Sequence, residues 1–306
     1  MPPPRILSLL PSATEILHAL GLGPFQVGRS HECDFPPSVQ HLPICSSPAI
    51  PVTGSSREID SHVKNRLQNA LSIYNVNSQL IAELKPTHIL TQTQCQVCAV
   101  TLDDVEHALH HQIQTQPKLI SLEPHSLHDL WPAILQVGES CGATRRAHEV
   151  NAELQNRMSA LAERATKATR RPRVAAIEWL DPLMAAGNWV PELIGIAFGE
   201  NIFGEPGQHS PWMNWQDLVK EDPDIILALP CGFDLARTRA EMPCLTQRDG
   251  WQTLTAVRTR QIYICDGNQF LNRPGPRLVE SLQILGEIFH PELFPPFLKR
   301  IGWNLL

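Results

Sequence analysis

Residues 143–171, Ala-Thr-Arg-Arg-Ala-His-Glu-Val-Asn-Ala-Glu-Leu-Gln-Asn-Arg-Met-Ser-Ala-Leu-Ala-Glu-Arg-Ala-Thr-Lys-Ala-Thr-Arg-Arg, contain neither glycine nor proline. Ala143, Ala147, Val150, Leu154, Met158, Leu161, Ala165 and Ala168 recur at spacings of three and four, which is one amphipathic helical stripe. The opposite face carries Arg145, Arg146, Glu149, Glu153, Arg157, Glu163, Arg164 and Lys167. At about 1.5 Å per residue the stretch predicts a helix of roughly 40 Å, well beyond the usual three turns. A helix of that length in mid-chain reads as a strut joining two lobes. A coiled-coil dimer is the alternative, and the alanine-rich stripe argues against it.

Outward from this helix, both halves read as α/β. Arg5–Leu10 predicts a buried strand, and Pro11-Ser12-Ala13-Thr14-Glu15 opens a helix. Ser12 is the expected N-cap, Glu15 completes a capping box and Gly21 ends the helix. Two stretches then resemble one another: Leu84-Lys-Pro-Thr-His-Ile-Leu-Thr-Gln92 and Val219-Lys-Glu-Asp-Pro-Asp-Ile-Ile-Leu-Ala-Leu229. Each is a helix end, a proline turn and a short apolar strand, followed by cysteine, and together they suggest a weak internal repeat. Further strands are expected at Arg173–Ile177 and Gln261–Cys265, and helices at Pro191–Phe198, Gln216–Lys220 and Pro276–Ile288. The proline-rich C-terminal tail is expected to pack on the body. The whole predicts an α/β fold with two Rossmann-like lobes, each with a central parallel sheet, joined by one long rigid α-helix. The boundaries are 1–142 for the first lobe, 143–171 for the connecting helix and 172–306 for the second lobe.

Composition narrows the function. The chain has 306 residues, 42% hydrophobic and 18% charged, so it can bury a core. A net charge of -6 argues against a nucleic-acid partner, which needs a concentrated basic surface. No segment reaches the roughly 18–20 apolar residues of a membrane span. The first residues, Met1-Pro-Pro-Pro-Arg-Ile-Leu-Ser-Leu-Leu-Pro11, do not read as a signal peptide, because the apolar run is short and Pro11 ends it. The expected location is the cytoplasm, or the periplasm if a leader has been removed. In the cytoplasm the 8 cysteines would stay reduced, so their even number does not imply disulfides.

In open α/β sheets ligands bind at the carboxyl ends of the strands. Polar, aromatic and sulfur-bearing residues fall there in both halves: Ser12; His31, Glu32 and Cys33; Gln94, Cys95 and Cys98; Glu178, Trp179 and Trp189; Cys231 and Phe233; Asn268 and Arg273. They are the expected ligand-binding residues of a cleft between the lobes. Trp179, Trp189, Trp212, Trp215 and Phe233 are candidate walls for a large flat ligand, with core packing as the alternative for each alone. His31, Cys33, Cys95 and Cys98 are candidate metal ligands, and Cys95-x-x-Cys98 is half of a zinc pattern. The other half is missing, so a protein-held metal is not favoured. A redox pair at Cys95 and Cys98 is a further reading, and thiols packed at the mouth of the cleft the simplest. Ser12 is explained by its cap rather than as a nucleophile. No Gly-x-Ser-x-Gly elbow and no glycine-rich phosphate loop is present. His107, His110 and His111 read as solvated.

Several of these segments are familiar together. Arg5-Ile-Leu-Ser-Leu-Leu-Pro-Ser-Ala-Thr-Glu15 and the long helix resemble the Fe/cobalamin periplasmic-binding superfamily, solute-binding proteins with two α/β lobes and a helical backbone. Arg29-Ser-His-Glu-Cys-Asp34, Gln94-Cys-Gln-Val-Cys-Ala-Val100, Glu178-Trp-Leu-Asp-Pro182, Asn188-Trp-Val-Pro-Glu192, Pro230-Cys-Gly-Phe233 and Asn272-Arg-Pro-Gly-Pro-Arg277 resemble its cobalamin-binding protein branch. The resemblance covers nearly the whole chain. It implies a binding protein rather than an enzyme, with cobalamin or a related corrinoid held between the lobes as its ligand, limited hinge motion and an ABC permease as a partner. On this reading Trp179, Trp189 and Phe233 contact the macrocycle, Arg273 and Asn268 meet its polar side groups, and His31 or a cysteine approaches the cobalt. Two alternatives remain open: an enzyme on the same scaffold using Cys33, Cys95 or Cys98 with His31 and Glu32, and a binder of metal ions or metal chelates.

Overall fold

The short apolar runs of the sequence become two parallel sheets in the computed structural model, which describes residues 3–69, 72–93, 100–109 (backbone alone for 107–109) and 116–306. In chain order the first elements are β1 (Ile6–Ser8), α1 (Pro11–Ala19), β2 (Gln26–Arg29), β3 (Ser46–Pro48), α2 (Ser56–Gln68), β4 (Tyr74–Val76), α3 (Ser78–Leu84), β5 (His88–Gln92), α4 (Leu102–Leu109), β6 (Lys118–Leu122), α5 (Leu130–Ser140) and α6 (Thr144–Ala165). There follow β7 (Arg173–Leu180), β8 (Leu183–Ala185), α7 (Val190–Ile196), β9 (Glu200–Asn201), α8 (Trp215–Glu221), β10 (Ile225–Ala228), α9 (Leu235–Glu241), α10 (Pro243–Thr246), α11 (Thr255–Arg258), β11 (Ile262–Cys265), α12 (Leu278–Phe289) and β12 (Trp303–Leu305).

The chain divides into two units. Unit 1 is Met1–Gly54, Glu58–Pro124 and His128–Glu153; unit 2 is Ser55–Arg57, His125–Leu127 and Leu154–Leu306. Unit 1 holds a parallel sheet in the order β2-β1-β5-β6 and a small antiparallel pair, β3-β4. Unit 2 holds the order β12-β11-β10-β7-β8, with β9 also pairing β7. Its middle strands β7, β10 and β11 are parallel. Parallel strands covered by helices need continuous apolar runs, and Ile225–Ala228 and Ile262–Cys265 are buried at every position.

The resemblance between Leu84–Gln92 and Val219–Leu229 extends to single hydrogen bonds. In unit 1, α3 ends in a left-handed residue, Lys85 (φ 46°), then Pro86 and β5. In unit 2, α8 ends in the left-handed Asp222 (φ 43°), then Pro223 and β10. An arginine from the central strand's start caps each helix end. Arg5 donates from Nε and Nη2 to the Leu84 carbonyl at 3.0 and 2.7 Å. Arg173 donates from Nη1 to the Glu221 carbonyl at 2.5 Å and pairs with the Glu221 carboxylate at 2.6 Å. The residue after each proline closes the corner: Thr87 Oγ1 accepts from the Arg5 backbone N–H, and Asp224 Oδ2 from that of Arg173, both at 2.9 Å. These bonds satisfy carbonyls that a helix end leaves open.

Two expectations are corrected, and a third, the packing of the tail, is met in a specific form. The long helix is Thr144–Ala165, about 33 Å rather than 40 Å. Beyond it Lys167 and Ala168 donate to Arg164 and Ala165, three residues back, and Thr166 Oγ1 bonds the Glu163 carbonyl. Those tightened turns, with Pro172 disfavouring helical backbone at Arg171, end the helix early. The division between the units falls inside it, between Glu153 and Leu154. Ser12 is not an N-cap. Pro11 holds the first helical position, where its missing N–H is no loss, so Leu10 flanks the helix and Ser12 lies within it. The capping box with Glu15 is therefore not formed. Finally, the C-terminal tail does pack on the body, but as a strand: β12 runs antiparallel to β11. The buried Glu287 on α12 fastens it, accepting from the backbone of Phe297 and Leu298 and from the Trp303 indole at 2.8 Å.

If the two arginine corners set the starts of their sheets, Arg5→Ala and Arg173→Ala should each lower the unfolding free energy by about 1–2 kcal/mol, the worth of a hydrogen bond from a charged donor. Urea denaturation of each variant checks this; an unchanged midpoint in both would make the corners incidental.

Candidate functional site

In unit 1 the end of β2 builds a polar cluster. Ser30 N–H donates to the Ser8 carbonyl, and Ser30 Oγ accepts from the Glu32 N–H at 3.0 Å. Arg29 is buried: Nη1 donates to the Ser30 and Cys33 carbonyls and Nη2 to that of Gln40, while Nε has no partner among the described residues. That crossbracing folds 30–34 back on the strand end. His31 is half-buried. Its backbone N–H donates to Ser46 Oγ at 3.3 Å, and its Nδ1 lies 3.0 Å from the same oxygen. Its ring packs against Tyr74, centroids 5.7 Å apart, and Tyr74 OH reaches Glu32 Oε1 at 3.5 Å. Burial, then the Arg29 charge, pulls the His31 pKa below its ordinary value and favours the neutral imidazole.

The other unit 1 residues fare differently. Ser12 is 2% exposed and its Oγ has no hydrogen-bond partner among the described residues. Cys33 is 0% exposed, and its Sγ lies 3.1 Å from Thr14 Oγ1. Burial pushes its pKa up, although the Thr14 hydrogen bond opposes this. Both side chains belong to the interior. Gln94, Cys95 and Cys98, with the side chains of His107, His110 and His111, lie outside the described residues.

In unit 2 the ends of β7, β10 and β11 converge. Gly267 allows the closest approach: a Cβ there would sit 2.2 Å from the Pro230 carbonyl oxygen, so only glycine fits. Asn272 Nδ2 donates to the Leu229 carbonyl at 2.8 Å. Asp266 Oδ1 accepts from the backbone of Asn268 and Gln269, which shapes the loop after β11. Burial raises the Asp266 pKa despite these bonds. Arg273 is buried and donates to Asn268 Oδ1 at 2.8 Å, so these two expected ligand contacts hold each other. Cys231 and Glu178 are half-buried at their strand ends, and Cys231 N–H donates to the Glu178 carbonyl.

The tryptophans separate into two groups. Trp189 is buried, with Nε1 donating to the Leu271 carbonyl at 2.7 Å, and Trp215 stacks on Trp251 in the core. These two are packing residues. Phe233 is 2% exposed, behind the Arg237 guanidinium 3.9 Å from its ring centroid. Trp179 is half-buried and meets Phe233 edge-on at 5.4 Å. Trp179 pairs across the sheet with Met184, and Met184 pairs with Trp212, which is 56% exposed. Directly paired residues leave a sheet on the same face, so Trp179, Met184 and Trp212 form one row. Met184 and Arg237 were not expected from the sequence, nor was Ser46 beneath His31. Their roles come from strand pairing and loop contact, which leave no local pattern.

Among the described residues no three His, Cys, Asp or Glu side chains come close enough to hold a metal ion. Burial raises Cys45, Cys141 and Cys244 to about 11, and Cys265 beyond that. Fully buried thiols such as Cys33 and Cys265 are poor nucleophiles. Under native conditions at neutral pH, Cys33 and Cys265 should resist iodoacetamide and react only after denaturation, read by peptide mass mapping. Prompt alkylation of native Cys33 would contradict its placement.

Comparison with known proteins gives these residues a family. Residues 6–269 match the family model of the periplasmic binding proteins. The uncharacterized ABC transporter substrate-binding lipoprotein YvrC of Bacillus subtilis is 23% identical over 299 residues, 95% of this chain and 82% of YvrC. The high-affinity heme uptake system protein IsdE of Staphylococcus aureus is 25% identical over 190 residues, 61% of this chain and 62% of IsdE. The periplasmic vitamin B12 binding protein BtuF of Vibrio cholerae superposes with a TM-score of 0.67 at 19% identity, covering 94% of this chain and 96% of BtuF. These relatives are substrate-binding proteins, not enzymes. No helix among the described residues is long and apolar enough to cross a membrane. The chain belongs to the periplasmic binding protein family, as a solute-binding protein of the ABC-transporter type.

Proposed function

We propose that the solute is a corrinoid, a cobalamin-like tetrapyrrole, taken up for delivery to an ABC permease. The observation that carries this reading is the row Trp179–Met184–Trp212 on one face of unit 2. Two indoles with a thioether between them offer a broad, flat, polarizable surface, which suits the face of a macrocycle and is more than an ion or a sugar requires. Trp179 is braced from behind by Phe233, so it presents its surface without having to be ordered on binding. The family includes members that bind vitamin B12 and members that bind heme, so a tetrapyrrole lies within its range. The sequence motifs of the cobalamin-binding branch favour the corrinoid.

Titration with hydroxocobalamin, followed by quenching of tryptophan fluorescence, tests this. Trp179→Ala and Trp212→Ala should each weaken binding by about threefold to tenfold, the worth of one aromatic stacking contact. Trp212→Ala should leave the unfolding midpoint unchanged, because that side chain lies on the surface. A double variant with undiminished affinity would refute the platform.

A further inference from the structure

Three indoles of unit 2 are bonded internally and a fourth is not. Trp189 donates its N–H to the Leu271 carbonyl at 2.7 Å, Trp215 to the Asp249 carbonyl at 2.8 Å and Trp303 to the Glu287 carboxylate at 2.8 Å. Nε1 of Trp179 is enclosed as well, yet it has no hydrogen-bond partner among the described residues. An enclosed N–H left unbonded is disfavoured, and in a native fold it marks a group that meets its partner elsewhere. The Phe233 ring, 5.4 Å away and edge-on, offers only a π face, a weaker acceptor than an oxygen.

A local irregularity of β7 brings this indole out of the core. Ile177 pairs with Ala185 and Trp179 with Met184, two steps on β7 against one on β8. Glu178 is therefore the extra residue of a β-bulge, a device that re-aims a side chain. Strict alternation would return Trp179 to the face of Ile177, which is 0% exposed in the core. The bulge turns it to the other face, beside Met184, where it is half-buried.

We propose that Trp179 is a specificity-determining residue: its indole N–H donates a hydrogen bond to an acceptor oxygen on the rim of the solute, while its face lies against the ring. This rests on the corrinoid reading above, in which the oxygen belongs to a carboxamide. Corrinoid carboxamides hang on flexible chains and can reach the edge of an indole on which the ring lies. Met184, the cross-strand neighbour, is unbranched and adapts to admit the group. The donor gains in the complex the partner it lacks without solute, so a solute with no acceptor there leaves it unmet and binds less tightly.

Two readouts on the full chain test the proposal. With isotope-labelled tryptophan, the Trp179 indole resonance is identified by its loss in Trp179→Phe, or in a chain carrying benzothienylalanine at position 179, where sulfur replaces the N–H. On saturation with hydroxocobalamin the Trp179 indole proton should move downfield, toward the resonances of the bonded indoles. Benzothienylalanine keeps the ring area and loses only the donor, and should weaken hydroxocobalamin binding about threefold. Three results would each overturn the donor role and leave the corrinoid reading standing: binding with the proton unmoved, a proton already downfield in the unliganded chain because a water meets it, or undiminished affinity with benzothienylalanine. If neither substituted chain folds, the absence of any downfield-moving indole proton in the unsubstituted chain overturns the role in the same way. No binding of hydroxocobalamin by the unsubstituted chain would overturn both.

Discussion

An arginine guanidinium on the last carbonyl of a helix, made once in each unit, ties the start of a central strand to the helix that feeds its neighbour. Arg5 caps α3 and Arg173 caps α8, and in each unit the next strand starts after a left-handed residue and a proline. A parallel sheet has no hairpin to set its register, so something else must define where neighbouring strands begin. Here the same side-chain bonds tie the start of the central strand, β1 or β7, to the helix that feeds its neighbour, β5 or β10. At the other ends of the strands stand His31, after β2, and Trp179, near the end of β7.

The two strand-end faces so positioned differ in chemistry. Unit 2 offers aromatic and sulfur surface around Trp179, with its arginines 273 and 277 buried in the loop after β11. Unit 1 offers directed polar groups, His31 and the Glu32–Tyr74 pair, beside Arg29, whose Nη1 and Nη2 donate to carbonyls.

Much of the fold was legible in the chain because it depends on local pattern. The apolar runs before Gln92 and Leu229, the proline turns and the alanine-rich stripe of α6 are all signals within a few residues. The errors were local as well. The capping box at Ser12 failed because Pro11 already starts the helix, and α6 stopped at Ala165 because Pro172 constrains the residue before it. The site was legible as elements but not as contacts. His31 and Trp179 stand where the strand-end rule puts them. Cys33, Trp189 and Phe233 are near them in sequence pattern yet lie in the interior, because burial depends on which way a loop folds. Met184 and Ser46 could not have been found from spacing. Their place beside Trp179 and His31 depends on the pairing of β8 with β7 and on where the chain returns in β3.

The proposed corrinoid ligand is tested against haem, the tetrapyrrole that other members of the family bind. The most direct measurement is equilibrium dialysis of the purified protein against equimolar hydroxocobalamin and haemin in one chamber, with both quantified by their absorption bands. Retention of hydroxocobalamin at one equivalent, with haemin left at its free concentration, is the expected result. Preferential retention of haemin, or of neither compound, would contradict the account.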